Sequence, residues 1–190
     1  MCGIFELAGE GFSTKDRTLV EHLARKSQLR GLDASDLVFA DATIKHIKSF
    51  ASMDVLLKTK QYETTLADLS TSTASHIFGH AGLITKGVVF NEAYNQPITS
   101  PPLVGVHNGL VSIRDLSGNE LTRKEPFENW DAVSDLYIFY HLLDEFRNQT
   151  GSLSEAFYAF SKYVTGHLSV AFLDKCNKSR PFDPISSQVV

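Results

Sequence analysis

The sequence predicts an α+β fold, with one domain over residues 2–174 and an irregular tail over residues 175–190. Short apolar runs typical of buried strands alternate along the chain with amphipathic stretches of helical period. The 190 residues, 43% of them hydrophobic, show no internal repeat and no low-complexity linker, so they suit a single core. We expect the order strand, helix, strand, helix, strands, helices, strand.

The first half of the chain begins with an apolar run at residues 3–8 that predicts a buried strand. A helix is predicted from Ser13, a candidate N-cap, and its apolar stripe consists of Leu19, Leu23 and Leu29. The remaining predicted elements of this half are a strand at 37–40, a helix at 55–69 and a strand at 77–81.

The second half contains the most pronounced helical pattern, residues 130–146, whose apolar positions fall on one face. Before it, a loop at 91–102 leads into apolar runs at 103–107 and 110–113, which are separated by Asn108-Gly109. After it, we predict a helix at 153–164 and a strand at 168–173.

Bulk composition excludes several classes of protein. A net charge of −4, a pI near 5.9 and no basic stripe argue against nucleic-acid binding. The apolar runs are too short to span a bilayer, and no secretory leader is visible, so we expect a cytoplasmic protein without membrane contact. Two cysteines make no disulfide framework, and the seven histidines lack metal-ligand spacing, so neither a metal nor a cofactor is expected.

Cys2 is the candidate nucleophile. Cysteine is small enough for Met1 to be trimmed, which would leave Cys2 with both a thiol and a free α-amine. The thiolate is the attacking form, and an N-terminal amine with a pKa of about 7.7–8.0 accepts a proton near neutral pH. The alternative is that a small residue at position 2 is incidental.

The segment His107-Asn108-Gly109 follows an apolar run. The Asn108 side-chain amide and the Gly109 backbone N–H would point at one oxygen, as in an oxyanion hole. Asn-Gly is also the commonest sequence of a hairpin turn, and this alternative stays open.

Three further segments place polar residues at element ends. Residues 30–35 join the first helix to the next strand, and an ordinary helix C-terminus is the alternative there. Residues 79–87 include Gly79-His80-Ala81-Gly82 and precede Asn95-Gln96-Pro97. Ser134-Asp135 begins the long helix, where a simple helix N-terminal role for Asp135 is the alternative.

Taken together and in this order, these segments resemble the motifs of class II glutamine amidotransferases. The resemblance covers roughly residues 2–174, and the Asn95-Gln96-Pro97 loop is most similar to amidotransferases of surface-polysaccharide gene loci. It implies a four-layer αββα sandwich of the N-terminal nucleophile hydrolase type.

The resemblance also implies roles for single residues. Cys2 would attack the side-chain amide of glutamine, with its own α-amine as proton shuttle. Asn108 and Gly109 would form the oxyanion hole, and Asp135 would bind the substrate α-ammonium. Further residues implied at the glutamine site are Thr85, Lys86, His107 and Arg30, the last in the shell that packs over the nucleophile.

Two departures from the family pattern bear on activity. Where the family has Thr-Arg, this chain has Ala81-Gly82; the arginine grips the glutamine carboxylate, a contact of about 1.5–3 kcal/mol. Lys86 offers a substitute charge without a bidentate fork, and Gly82→Arg is expected to lower KM where the backbone tolerates it. Family members also continue for several more strands, so we expect a C-terminal truncation or a fragment.

Three functions remain open. The first is a glutaminase half-site that supplies ammonia from glutamine to a separate synthase or transferase subunit. The second is a weakened or inactive amidotransferase-like domain that acts as a regulatory or binding module. The third is an unrelated interaction domain. The enzyme requires removal of Met1, whereas the other two do not.

Overall fold

The computed structural model describes residues 2–12, 14–40, 43–69, 74–83, 95–100, 103–114, 135–174 and 187–189. These residues form two four-stranded sheets with their helices. The chain divides into two compact units, one of Met1–Pro97 with Val106–Asn108 and one of Ile98–Gly105 with Gly109–Val190.

The first sheet has the strand order β1-β4-β2-β3, and all of its neighbouring strands are antiparallel. Its strands are β1 (Gly3–Phe12), β2 (Ala34–Ala40), β3 (Ile44–Ser49) and β4 (Ala74–Gly82). The helices of this unit are α1 (Arg17–Ser27), α2 (Met53–Leu56) and α3 (Lys60–Leu69). Because β4 lies between β1 and β2, residues far apart in sequence meet at one end of the sheet.

The two faces of this sheet differ in chemistry, because successive side chains of a strand point to opposite faces. One face carries Phe5, Leu37 and Ile77, which belong to the core that α1, α2 and α3 complete. The opposite face carries Asp36 and His80, which are 0% and 2% exposed. Buried polar groups cost free energy unless they find partners, so this second face is where a functional site is expected.

The residues of the first helix that face the core differ from those predicted. Its buried residues are Val20, Ala24 and Ser27, whereas Leu19 is 47% exposed. Leu29 is 79% exposed because α1 ends at Ser27 and Leu29 lies in the following 3-10 turn, Gln28–Arg30. The predicted stripe is therefore wrong at Leu19 and Leu29, whereas Leu23 packs against the core of the first sheet. The smaller buried side chains allow the helix to approach the sheet closely.

The predicted helix at 55–69 consists of two helices, α2 and α3. Thr59 separates them: its hydroxyl donates to the Leu56 carbonyl and accepts from the Tyr62 backbone N–H. A threonine that satisfies backbone groups in this way competes with helix continuation.

The second sheet has the order β5-β6-β7-β8. Its strands are β5 (Ile98–Ser100), β6 (Leu103–Ile113), β7 (Val164–Asp174) and β8 (Ser187–Val189), and the helices of this unit are α4 (Asp135–Thr150) and α5 (Leu153–Ser161). An aromatic cluster joins helices to sheet: Phe139 meets Phe160 edge-on at 5.1 Å, and Phe157 stacks on Phe172 at 6.1 Å.

The segment His107-Asn108-Gly109 lies inside β6, so the hairpin-turn alternative is wrong. The two predicted runs at 103–107 and 110–113 are one continuous strand. Gly109 is required for a packing reason, because a Cβ there would overlap the His167 carbonyl oxygen of β7. Glycine thus permits the close backbone approach of two strands.

Part of the predicted irregular tail is a strand. Ser187–Val189 pairs antiparallel with Leu168, Ser169 and Val170 of β7. A strand of three residues has no periodicity to detect, and it forms here because the backbone of β7 offers unpaired groups at its edge. Within the described residues, no helix combines the length and apolar character needed to cross a bilayer.

Candidate active site

Cys2 immediately precedes β1, at the end of the first sheet. In β1 and β4, Ile4 pairs with His80. Continuing this antiparallel register by two residues puts Cys2 opposite Gly82. Cys2, Ile4 and His80 therefore share one face of the sheet, the face that carries the buried polar residues.

Gly3 holds the chain next to Cys2 in place. A Cβ at Gly3 would overlap the carbonyl oxygen of Ser27, the last residue of α1. The Ser27 hydroxyl is turned back onto the helix, where it donates to the Ala24 carbonyl at 2.7 Å. The close approach of β1 to the end of α1 therefore requires glycine at position 3. This contact fixes the position of the adjacent Cys2.

The backbone nitrogen of Cys2 meets the side chain of Asn108. Cys2 N donates to Asn108 Oδ1 at 2.9 Å. With Met1 attached this nitrogen is a peptide N–H; after removal of Met1 it is the α-amine. Since Oδ1 is occupied, the Asn108 Nδ2 group is the part of the amide that remains to donate to another oxygen.

His80 and Asp36 form a buried pair on adjacent strands. They are directly opposed in the register of β2 and β4, and His80 Nδ1 lies 2.9 Å from Asp36 Oδ2. Burial of the ring acts to lower the pKa of His80, but the charge and hydrogen bond of Asp36 outweigh it and raise that pKa to about 9. Burial raises the pKa of Asp36, which the positive ring opposes. The geometry is that of an aspartate–imidazolium pair.

The imidazole of His80 lies over Gly82. A Cβ at Gly82 would be 2.8 Å from His80 Cε1. Since Cys2 is opposite Gly82 in the register, the absent side chain at Gly82 is what lets the ring approach the thiol.

The thiol of Cys2 experiences opposing influences. Burial acts to raise its pKa, whereas hydrogen bonding to His80, the charge of that ring and the backbone N–H of Leu83 act to lower it. The lowering influences win, so the pKa lies below the ordinary value of a cysteine. A lowered thiol pKa increases the share of the attacking thiolate at neutral pH.

Gln96 holds β6 at the residue before Asn108. The backbone N–H of His107 donates to Gln96 Oε1 at 2.6 Å, and Gln96 Nε2 donates to the His107 carbonyl at 3.1 Å. The same Nε2 lies 3.1 Å from His107 Nδ1. An amide that pairs with both backbone groups of one residue replaces a neighbouring strand, and so it fixes the direction of β6 at Asn108.

The other residues predicted at the glutamine site are distributed as follows. His107 is buried and held by Gln96. Arg30 is exposed at the end of the 3-10 turn, and it precedes Gly31, whose Cα lies against the Gly82 backbone. Asp135 is the first residue of α4. Gly109 follows Asn108 in β6. Thr85 and Lys86 lie outside the described residues.

Sequence reasoning missed His80, Asp36 and Gln96 as functional candidates. A signal was present for the first two, because Asp36 adjoins the apolar run at 37–40 and His80 interrupts the apolar run at 77–81. An ionisable residue in a buried strand requires a partner. In the described part of the chain no group of three metal-ligating side chains comes together.

No protein-family model and no curated protein matches the chain. Among solved structures, it is similar to glutamine phosphoribosylpyrophosphate (PRPP) amidotransferase from B. subtilis complexed with ADP and GMP, with a TM-score of 0.60 and 17% identity. The match covers 92% of this chain and 35% of that one. A structure of the allosteric regulatory enzyme of purine biosynthesis is similar at a TM-score of 0.59 and 17% identity, covering 90% and 35%.

The chain thus spans 35% of the length of the structures it matches. The similarity shows the fold. This is the N-terminal nucleophile hydrolase fold. The α+β class and fold type predicted from the sequence are confirmed, and the domain limits at residues 2 and 174 stay a prediction.

Proposed function

We propose that the chain is a glutaminase half-site of the class II amidotransferase kind. It hydrolyses the side-chain amide of glutamine with Cys2 as nucleophile and supplies ammonia to a separate synthase or transferase subunit. The observation that carries this proposal is the 2.9 Å hydrogen bond from Cys2 N to Asn108 Oδ1, which joins residues 106 positions apart. A solved structure of the same fold is a glutamine PRPP amidotransferase, which supports the same reaction class.

Asn108 serves two purposes in this proposal. Its Oδ1 orients the nitrogen of Cys2, and its Nδ2 donates to the oxygen that becomes negative when the thiolate attacks the amide carbon. The backbone N–H of Gly109, the next residue of β6, is the second donor. Donors that are oriented before the reaction stabilise a developing oxyanion without reorganising.

The ends of the glutamine molecule require charges of both signs. We assign the α-ammonium to Asp135, and the pocket around the side chain to Thr85 and His107. Lys86 and Arg30 are the candidates for the α-carboxylate, since Gly82 stands where the family has arginine. Arg30 is favoured by its place beside Gly31, which contacts the backbone of Gly82. The kinship with amidotransferases of surface-polysaccharide loci stays a prediction.

The test is glutamine hydrolysis by the purified protein, with ammonia and glutamate measured separately. Intact mass spectrometry on the same sample establishes whether Met1 is absent. Cys2→Ala removes the nucleophile and should abolish hydrolysis, whereas Cys176→Ala removes the other thiol and should leave it unchanged. Equal activity in the wild type and Cys2→Ala would reject the proposal.

The second candidate is an inactive amidotransferase-like domain that acts as a regulatory or binding module. The replacement of the arginine by Gly82 favours it, because a lost charge-assisted contact weakens substrate capture. The two candidates differ in one measurement. A weakened enzyme hydrolyses glutamine at high concentration with a raised KM, whereas an inactive domain with Met1 removed shows no hydrolysis at any concentration.

A further inference from the structure

The two lysines of β3 lie on opposite faces of the first sheet. Lys45 is opposite Phe39 on the face that packs on the helices, and its ammonium pairs with the exposed Asp68 of α3 at 2.9 Å. Lys48 is opposite Asp36, so its half-buried side chain emerges on the polar face. One strand therefore supplies one lysine to a surface ion pair and one to the face that carries the candidate active site.

The side chain of Lys48 is attached to a segment distant in sequence. Its Nζ donates to the backbone carbonyl of Asn95 at 2.9 Å, and Asn95 Nδ2 donates to the backbone carbonyl of Ser49 at 3.3 Å. Both hydrogen bonds are partly buried, and a hydrogen bond with a charged donor is the stronger kind. Residue 95 is thereby fixed to the end of β3, an edge strand of the first sheet.

The next residue, Gln96, is attached to a different strand. Its side-chain amide pairs with the backbone N–H and carbonyl of His107 in β6. The segment Asn95-Gln96 therefore joins β3 to β6, with one residue hydrogen-bonded to each strand. Asn108 follows His107, and its Oδ1 accepts the hydrogen bond from Cys2 N. A displacement of Asn95 is thus passed on through Gln96 to the residue before Asn108.

We propose that Lys48 is a positioning residue of the candidate active site: by fixing Asn95, it holds Gln96 against β6 and so sets the orientation of Asn108. For its effect on catalysis, this inference rests on the glutaminase proposed above. Asn108 Nδ2 is the donor assigned to the oxyanion, and such a donor stabilises the transition state only when it is held at hydrogen-bond distance from that oxygen. Lys48 acts through the Asn95-Gln96 segment and not by contact with the reacting atoms.

Lys48 also acts on a buried acidic group. Burial raises the pKa of Asp36, and the positive charges of His80 and Lys48 oppose this rise. A lysine that served only to balance Asp36 would matter for stability but not for the orientation of Asn108. The two roles are separable because they depend on different partners, the Asp36 carboxylate in one case and the Asn95 carbonyl in the other.

The first test compares the kinetics of glutamine hydrolysis in three variants. Lys48→Met keeps a long side chain and removes its donor, and we expect kcat to fall about ten- to a hundredfold with little change in KM. Lys48→Arg restores a charged donor and should recover most of kcat. The matched control Lys45→Met removes the other lysine of β3 and should behave as the wild type does. An unchanged kcat in Lys48→Met, or an equal fall in Lys45→Met, would overturn the proposal.

Amide hydrogen exchange, followed by NMR, tests the position of β6 without glutamine. The N–H of His107 donates to Gln96 Oε1 at 2.6 Å, so its exchange rate reports on this contact. In Lys48→Met this N–H should exchange about tenfold faster or more. The N–H of Leu37, a fully buried residue of β2, should change little. Equal acceleration at both positions indicates general destabilisation, and either this result or an unchanged His107 rate contradicts the proposal.

The role in charge balance is tested by repeating the exchange measurement in Asp36→Asn. This variant has no carboxylate for a lysine to balance. If balance were the only role, Lys48→Met would leave the exchange of His107 unchanged in that background. Under the proposal the acceleration persists, because the Asn95 carbonyl is still present. Its disappearance would refute the positioning role.

Asn95→Ala covers the case in which Lys48→Met does not fold. It removes the hydrogen bond to the Ser49 carbonyl and keeps the backbone carbonyl that Lys48 contacts. We expect the exchange of His107 to be faster and kcat to be lower; an unchanged His107 rate would show that the attachment of residue 95 to β3 does not fix β6, and the proposal would fail. Lack of glutamine hydrolysis by the wild type would reject the glutaminase instead, while the exchange of His107 still decides whether Lys48 positions β6.

Discussion

The His80 ring occupies the space that a side chain at Gly82 would need: a Cβ at Gly82 would lie 2.8 Å from Cε1 of His80. Real Cβ atoms are not found so close to another carbon, so any side chain at Gly82 must displace the ring. The ring is held by the buried Asp36 carboxylate at Nδ1, the atom next to Cε1, and has little freedom to move. The position of the His80 ring therefore requires glycine at position 82, independently of any effect on binding of the glutamine carboxylate.

We predict that Gly82→Ala raises the pKa of the Cys2 thiol and lowers the free energy of unfolding by about 1–3 kcal/mol, as overpacking does. The thiol pKa is measured from the rate of Cys2 alkylation by iodoacetamide as a function of pH, and the stability is measured by urea unfolding. Gly9→Ala in β1 is the matched control, since a Cβ there would be 3.5 Å from the Phe12 ring, an ordinary contact. Gly82→Arg should suffer the same displacement, so the expectation from sequence that it lowers KM is revised. A fully stable and more active Gly82→Arg would contradict this account.

The charge on His80 predicts a dependence of stability on pH. The pKa of His80 rises from its ordinary 6.5 to about 9 in the folded chain. A raised pKa contributes stability that is complete below pH 6.5 and is lost as the pH rises through about 9. Cys2→Ser removes the titration of the thiol and also part of what raises the His80 pKa. In this variant the free energy of unfolding should fall by about 1–3 kcal/mol as the pH rises from 6.5 through the remaining raised pKa of His80.

The control for this prediction is Asp36→Asn in the same Cys2→Ser background. An amide removes the charge that holds the proton on His80, so the decrease attributable to His80 should disappear. Urea unfolding at three pH values within the window is sufficient. If both proteins lose the same free energy of unfolding, the decrease belongs to other groups.

Gln96 is predicted to position Asn108 through β6. Gln96→Ala removes two hydrogen bonds to the backbone of His107 and leaves its N–H and carbonyl without these partners. We expect a loss of about 1–3 kcal/mol in the free energy of unfolding, together with a lower kcat for glutamine hydrolysis. Gln61→Ala, at an exposed site of α3, is the control. A normal kcat in a destabilised Gln96→Ala would limit Gln96 to a role in stability.

Asn108→Asp separates the two functions proposed for this side chain. An aspartate oxygen still accepts the hydrogen bond from Cys2 N, but the donor Nδ2 is lost. We expect kcat for glutamine hydrolysis to fall by about 10²–10³, the usual effect of losing one oxyanion donor, with little change in KM. Asn148→Asp introduces the same charge at an exposed site of α4 and should be neutral. An active Asn108→Asp would exclude Nδ2 as a required donor.

Much of the fold could be predicted because its signals are local. The apolar runs at 3–8, 77–81 and 168–173 lie within strands β1, β4 and β7. A short apolar run favours a buried strand whichever strands become its neighbours. Boundaries and breaks were predicted less well. The division between α2 and α3 depends on one hydroxyl of Thr59, and β8 depends on a partner strand that no pattern in three residues reveals.

A cysteine at position 2, Asn108 after an apolar run and a glycine at position 82 can be read from the chain without any coordinates. The folded chain was needed to show that Asn108 lies within a strand and accepts a hydrogen bond from the nitrogen of Cys2. It was also needed to show that His80 and Asp36, 44 residues apart, form a buried pair. Strand register explains this difference. Which side chains meet across a sheet depends on strand order and alignment, and a shift of one residue would turn each of them to the opposite face.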